Sequence, residues 1–325
     1  MIDDETLFSF ELHPEFVAAA ETLRTVRDWL RFAVTVMEQE GCSYGQGCPE
    51  VWCEARWLVG RALNLPLELL DHLLEARLLP DECEKLARLL AARALEKIPT
   101  AYLLNEAWLA GKPFYVDERV IIPRSLIAEL LQPTRLSEWW ERPAESVTRI
   151  LELCTGNGSL AVWLALTFPN ATVVASDLSE AALEVARINV ESYGLSDRIV
   201  LRTGDLYGAV PHEAPFDLIV ANPPYVTAQA MDELPEEYRH EPTLALAGGE
   251  DGMALVRRIV ASAPAFLAPG ATLLLEVGHN RQQAEAALAE ILPAWPALPQ
   301  QRWISTAAVR DAVVSLRLTD GAIAP

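Results

Sequence analysis

Through the first hundred residues, apolar side chains return every three to four positions, the spacing that gathers them on one face of a helix. Leu23, Val26, Leu30, Val34 and Met37 form one such stripe, with Arg27 on the same face. Trp52, Ala55, Leu58, Val59 and Ala62 form a second, which ends before Asn64-Leu65-Pro66. A third segment runs from Leu67 to Ala76. A fourth starts after Pro80, with Asp81 as its expected cap, and continues to Leu95. The pattern predicts a small helical bundle over residues 1–99.

The periodicity then changes. Strand-forming residues flank a glycine turn between Ala107 and Val116, and this stretch reads as a hairpin within a linker over 100–123. Val120-Ile121-Ile122-Pro123-Arg124 leads into a helix carrying Leu126, Ile127, Leu130 and Leu131. From Arg149 onward short apolar runs alternate with helical stripes. Strands are expected at Ile150–Leu153, Ala171–Ser176, Arg198–Leu201, Phe216–Val220 and Thr272–Val277, with a capped helix after Ser179. Such alternation implies an α/β domain over 124–325, its parallel sheet covered by helices on both faces. Ala312–Leu318 is a late strand that suits an antiparallel position.

Charge narrows the partners. The 325 residues carry a formal net charge of −20 and no run of Lys or Arg, so phosphate backbones are repelled and a basic protein is attracted. No direct nucleic-acid partner is expected. Five cysteines, without metal-site spacing, read as reduced thiols, and no metal is expected. The acidic start Met1–Glu5 lacks the pattern of a signal peptide, and no apolar run has the length of a membrane span. The chain therefore reads as a cytoplasmic protein.

Two motifs carry chemistry. Gly156-Asn157-Gly158-Ser159-Leu160-Ala161 joins a strand to a helix and fits the dinucleotide fingerprint, with Asp177 21 residues beyond Gly156 (177 − 156). NAD is thus one candidate. Glu152, inside the preceding strand, and Asp205, in Gly204-Asp205-Leu206 after the third strand, favour S-adenosylmethionine (SAM). The second motif, Asn222-Pro223-Pro224-Tyr225, follows a buried strand, where open α/β sheets place their ligands. Asparagine offers a donor and an acceptor on one planar amide. The prolines stiffen the backbone and remove two N–H donors, and tyrosine adds a flat face. The set suits a flat group bearing –NH2, either an amide or a nucleobase amine.

These segments resemble the HemK/PrmB family of protein-glutamine N5-methyltransferases. The likeness extends to Ile98–Leu103, Phe114–Val120, Ile122–Ser125, Glu152–Gly158, Asn222–Val226 and Glu237–Pro242. It implies a Rossmann-like SAM-dependent methyltransferase domain preceded by a helical substrate-recognition bundle and a β-hairpin linker. Arg124-Ser125, Ala107-Trp108 and Tyr238–Pro242 look like the branch acting on the basic large-subunit ribosomal protein L three. Leu126, where proline is common in that branch, and Asn157, where serine is common, depart from its pattern. The branch acting on peptide release factors is the first alternative, and a nucleic-acid amino-methyltransferase, which uses the same motif on nucleobase amines, is the second. The resemblance implies a cofactor site of Glu152, Cys154, Thr155, Gly156, Gly158, Asp177, Asp205, Leu206 and Asn222. It implies substrate contacts by Asn222, Pro223, Pro224, Tyr225 and His240, with Asn222, Pro223 and Tyr225 catalytic. Cys154 reads as a packing residue, and the pair Trp139-Trp140 as packing rather than a nucleobase platform.

Overall fold

The computed structural model describes residues 12–210 and 215–318; the Met1–Glu5 reading lies outside them. Its chain divides into two compact units. One comprises residues up to Trp108 together with Val116–Glu118 and Pro235–Glu241, and the other comprises the remainder.

The first unit is built on four helices: α1 (Pro14–Thr22), α2 (Val26–Gln39), α3 (Val51–Ala62) and α4 (Pro80–Ala94). Trp29, Leu30, Met37, Leu58, Val59, Leu86 and Leu90 fill its core. Periodicity missed α1 and merged its end with α2. The break is set by Thr25, whose hydroxyl accepts the Asp28 amide while the Asp28 carboxylate accepts the Thr25 amide. Arg27 lies on the exposed side, and Trp52 is 46% exposed. Asp81 is not the cap of α4. The helix opens at Pro80, and the Glu82 carboxylate receives the Leu79 amide at 2.7 Å.

A buried arginine ties this unit's distant segments together. Arg93 is 1% exposed; its guanidinium donates to Glu54, to Glu237 at 3.1 Å and to the Ser43 carbonyl at 2.8 Å. Glu237 also accepts the Ser43 amide at 2.7 Å, and Glu241 pairs with Gln46. The late segment Pro235–Glu241 is thereby part of the helical unit.

The second unit contains a seven-stranded sheet. A two-stranded hairpin, β1 (Ala107–Leu109) and β2 (Lys112–Phe114), turns at Ala110 and Gly111, both at positive φ. The large sheet is formed by β3 (Arg149–Leu153), β4 (Thr172–Asp177), β5 (Ile199–Thr203), β6 (Phe216–Ala221), β7 (Leu267–Glu276), β8 (Gln300–Ile304) and β9 (Val313–Arg317). Their order is β5-β4-β3-β6-β7-β9-β8, with β9 antiparallel to both neighbours and the other pairings parallel. Side chains alternate between the two faces. Ile150, Val173, Leu218 and Leu274 enter one apolar layer, and Leu151, Val174, Ile219 and Leu273 enter the other. Helices α5 (Ser159–Thr167), α6 (Glu180–Ser192), α7 (Ala254–Ser262) and α8 (Arg281–Ile291) cover the sheet. Trp139 and Trp140 are both 6% exposed and meet edge to face at 5.5 Å, as packing residues. Strand β8 was not anticipated: Gln300-Gln301-Arg302 is polar and exposed, as an edge strand allows.

Replacing Arg93 with Ala should cost about 3–5 kcal/mol of stability in denaturant titrations, because two carboxylates lose their buried partner. A loss below ~1 kcal/mol would show that the network is not a stabilising tie.

Candidate active site

The sheet reverses its direction of growth between β3 and β6. The chain steps outward from β3 to β4 to β5, then returns to place β6 on the other side of β3. The carboxyl ends at such a switch leave a crevice. Register brings Leu153 opposite both Ser176 and Ala221, so the loops after β3, β4 and β6 leave the sheet at one level.

The loop after β3 is strained where it turns. Cys154 adopts φ +60, a left-handed conformation that a non-glycine residue takes at a cost. Gly158 has φ +77, and a Cβ there would come within 3.0 Å of Ala186 on α6, so glycine is needed on both counts. Asn157 points its carboxamide into the protein. Its oxygen accepts the Ser159 amide at 3.2 Å and its nitrogen reaches the Tyr115 carbonyl at 3.3 Å.

Two carboxylates border this turn. Glu152 is 1% exposed and accepts the Thr155 hydroxyl at 2.6 Å. Burial pushes its carboxyl up to about 8, with the Thr155 bond opposing and the Asp177 charge adding to the rise. Asp177 accepts the Gly156 amide at 2.8 Å through one oxygen and the Ser179 amide at 2.9 Å through the other. Its carboxyl is also raised by burial, against the pull of those amides. The Cys154 thiol is raised by desolvation and by Asp177, Glu152 and Asp205, which disfavours a thiolate nucleophile.

Asp205 and Leu206 follow β5. Leu206 has φ +50 and is 8% exposed, whereas Asp205 is half-exposed and pairs with Arg258 at 2.7 Å. Asn222-Pro223-Pro224-Tyr225 leaves β6 without regular structure. Pro223 and Pro224 are buried, and Asn222 and Tyr225 are partly buried. No hydrogen bond from the Asn222 side chain to the described residues occupies its amide. Val226 is pinned by the Leu246 carbonyl at 2.9 Å, so the motif is held at both ends. His240 belongs to the helical unit, where its Nε2 lies 3.0 Å from the Glu96 carbonyl oxygen. Arg124 has its Nη1 3.3 Å from the Ile122 carbonyl.

Sequence reasoning missed Asn189 and Glu276. Asn189, 1% exposed, accepts the Tyr115 amide and donates to the Tyr115 and Asn157 carbonyls, joining the hairpin's exit to the glycine turn. A polar residue within the apolar stripe of α6 was the available signal. Glu276, at the end of β7, is 1% exposed; burial pushes its carboxyl up to about 7.

A relative from Bordetella pertussis named ribosomal protein uL3 glutamine methyltransferase is 50% identical over 275 residues, covering 85% of this chain and 91% of that protein. The chain belongs to this glutamine methyltransferase family. A Burkholderia pseudomallei relative of the same name is 49% identical, covering 84% and 90% of the two chains. One from Neisseria meningitidis serogroup A is 48% identical, covering 87% and 92%. The family model described as methyltransferase small domain matches residues 140–237. A Pyrococcus furiosus methyltransferase structure aligns at 17% identity over 70% of this chain and 92% of its own, with a TM-score of 0.46.

Glu152 generates a prediction for this family member. Its carboxyl rises from an ordinary 4.5 to about 8 in the fold. Its stabilising contribution is complete below pH 4.5 and is lost as pH rises towards about 8, because the unfolded chain releases the proton first. Without added cofactor, Glu152→Gln should flatten the fall in Tm between about pH 5 and about pH 8. A slope identical to wild type would place that titration elsewhere.

Proposed function

We propose that this protein transfers a methyl group from SAM to the side-chain nitrogen of a glutamine in ribosomal protein uL3, in the cytoplasm. The observation that carries the reading is the Asn222–Tyr225 loop beside the Glu152–Gly158 turn at the sheet's switch point, joined to 50% identity over 85% of the chain with an enzyme named for that reaction.

The residues present fit the cofactor. Its hydroxyl and amino groups call for acceptors, and the β3 and β4 ends offer the Glu152 and Asp177 carboxylates. A nearby cation would also favour ionised Glu152, whose charge burial opposes. Glu152, Cys154, Thr155, Gly156 and Gly158 would cradle the amino-acid end, Asp177 the ribose hydroxyls, and Asp205 with Leu206 the adenine. When bound, SAM supplies an electrophilic methyl already activated by a sulfonium.

A carboxamide nitrogen is a weak nucleophile because its lone pair is delocalised into the carbonyl. The Asn222 side-chain oxygen and the Pro223 carbonyl would accept its two hydrogens, raising electron density on nitrogen and fixing its direction. Pro224 holds the loop, and Tyr225 packs against the amide plane. The surplus proton leaves to solvent after transfer, so no strong base is required. His240 would contact the substrate protein from the helical unit.

The bundle over 1–99 would select the protein substrate, with 100–123 as linker and 124–325 as the catalytic domain. The helical unit's cleft of about 500 Å3 supports protein recognition: Trp52, Trp57 and Trp108 line it, and Trp52 and Trp108 are partly exposed. Among the described residues, no helix is long and apolar enough to cross a membrane.

The test incubates purified protein with labelled SAM and uL3, with a release factor in parallel, and maps the methyl by mass spectrometry. Methyl on a uL3 glutamine is expected, and methyl on the release factor alone would overturn the substrate. Asn222→Ala should lower turnover by about a hundredfold or more while cofactor affinity stays within a few fold. Near-normal turnover would remove Asn222 from the catalytic step.

A further inference from the structure

Tyr225 sits in a socket built from parts of the chain that the methyl-transfer reading leaves unused. At its backbone end, the Asn280 side-chain amide donates to the Tyr225 carbonyl at 2.7 Å. At its ring end, the hydroxyl donates to Glu276 Oε1 at 3.2 Å. Between these anchors the ring lies on Gly278. A Cβ there would approach its Cε2 to 2.7 Å and Cζ to 2.9 Å, so only glycine admits the ring. Gly248 clears the backbone in the same way, since a Cβ on it would come within 2.6 Å of the Tyr225 Cα. Residues 276–280 leave the end of β7, so one loop supplies both anchors and the ring's floor.

Glu276 does more than hold the phenol. Its Oε2 accepts the Ser125 hydroxyl at 2.7 Å and the Leu126 and Ile127 amides at 2.9 and 3.3 Å. Those amides open the short helix Ile127–Leu130. One buried carboxylate thus joins the Ser125 turn to the substrate-facing tyrosine. A carboxylate used only to cap that helix would not need its second oxygen on the phenol.

We infer that Glu276 is a positioning residue for methyl transfer: with Asn280 and Gly278 it holds the Tyr225 ring in a single orientation. This rests on the reading of Tyr225 as the residue packed on the substrate amide. A ring anchored at both ends loses little freedom when the amide arrives. A ring freed at the hydroxyl presents the amide in several orientations, few of them in line with the methyl donor. The effect therefore falls on turnover rather than on cofactor binding.

The experiment uses the full chain and three variants: Glu276→Gln, Tyr225→Phe and the double. Glutamine keeps the shape and can still accept from the Ser125 turn, so folding should survive; Tyr225→Phe removes only the hydroxyl. The Tyr225 13Cζ signal, assigned from the phenylalanine variant, should move in Glu276→Gln as the phenol exchanges its carboxylate acceptor for an amide. Each single variant should lower kcat roughly tenfold with KM for SAM unchanged, and the double should be no worse than the weaker single. A 13Cζ signal unchanged in Glu276→Gln, or losses that multiply in the double, would overturn the positioning role. Wild-type protein that leaves uL3 unmethylated would sink the substrate reading alone, because the 13Cζ result still decides the socket.

Discussion

Parallel pairing of β3 with β6 is the constraint on which the site depends. It is a backbone interaction, and it places Leu153 beside Ala221. A shift of one residue would turn Glu152 to the opposite face and move the Asn222 loop relative to the glycine turn. The register is held by burial on both faces: Ile150 and Leu218 enter one apolar layer while Leu151 and Ile219 enter the other. The geometry available for chemistry thus follows from core packing several residues away.

Much of this could be read from the residues in order, and the reasons are physical. The parallel strands are continuous apolar runs flanked by turn residues, a local signal. The glycine turn and Asn222–Tyr225 are contiguous, so their positions at strand ends followed once the strands were recognised. The Ser179 cap was equally local, and its hydroxyl accepts the Ala182 amide at 3.1 Å. What stayed hidden was set by distant partners. Glu276 lies 151 residues from Ser125, and nothing in its neighbourhood announces that contact. Strand β8 forms only because β9 presents an edge to it, and its own residues look like a polar loop. Asp81 attracted the cap assignment because Asp is a common N-cap. Pro80 displaces it, because proline is favoured in the first turn.

Two buried carboxylates among the described residues of the α/β unit have contrasting environments. Glu152 accepts one hydroxyl and stands near Asp177, so its charge is poorly compensated. Glu276 accepts two hydroxyls and two amides, which stabilise the ionised form and oppose the burial penalty. The first stays uncompensated within the fold. The second suits a fixed joint.

The inclusion of Pro235–Glu241 in the helical unit bears on how the protein is made. Arg93 and Glu237 are 144 residues apart. While a ribosome is extending the chain through the sheet strands, the helical segment has already emerged, but Glu237, one of the carboxylates that Arg93 meets in the finished fold, has not. Order of synthesis and order of contact thus differ here: this buried ionic network closes only after strands β3 to β6 of the second unit have been translated.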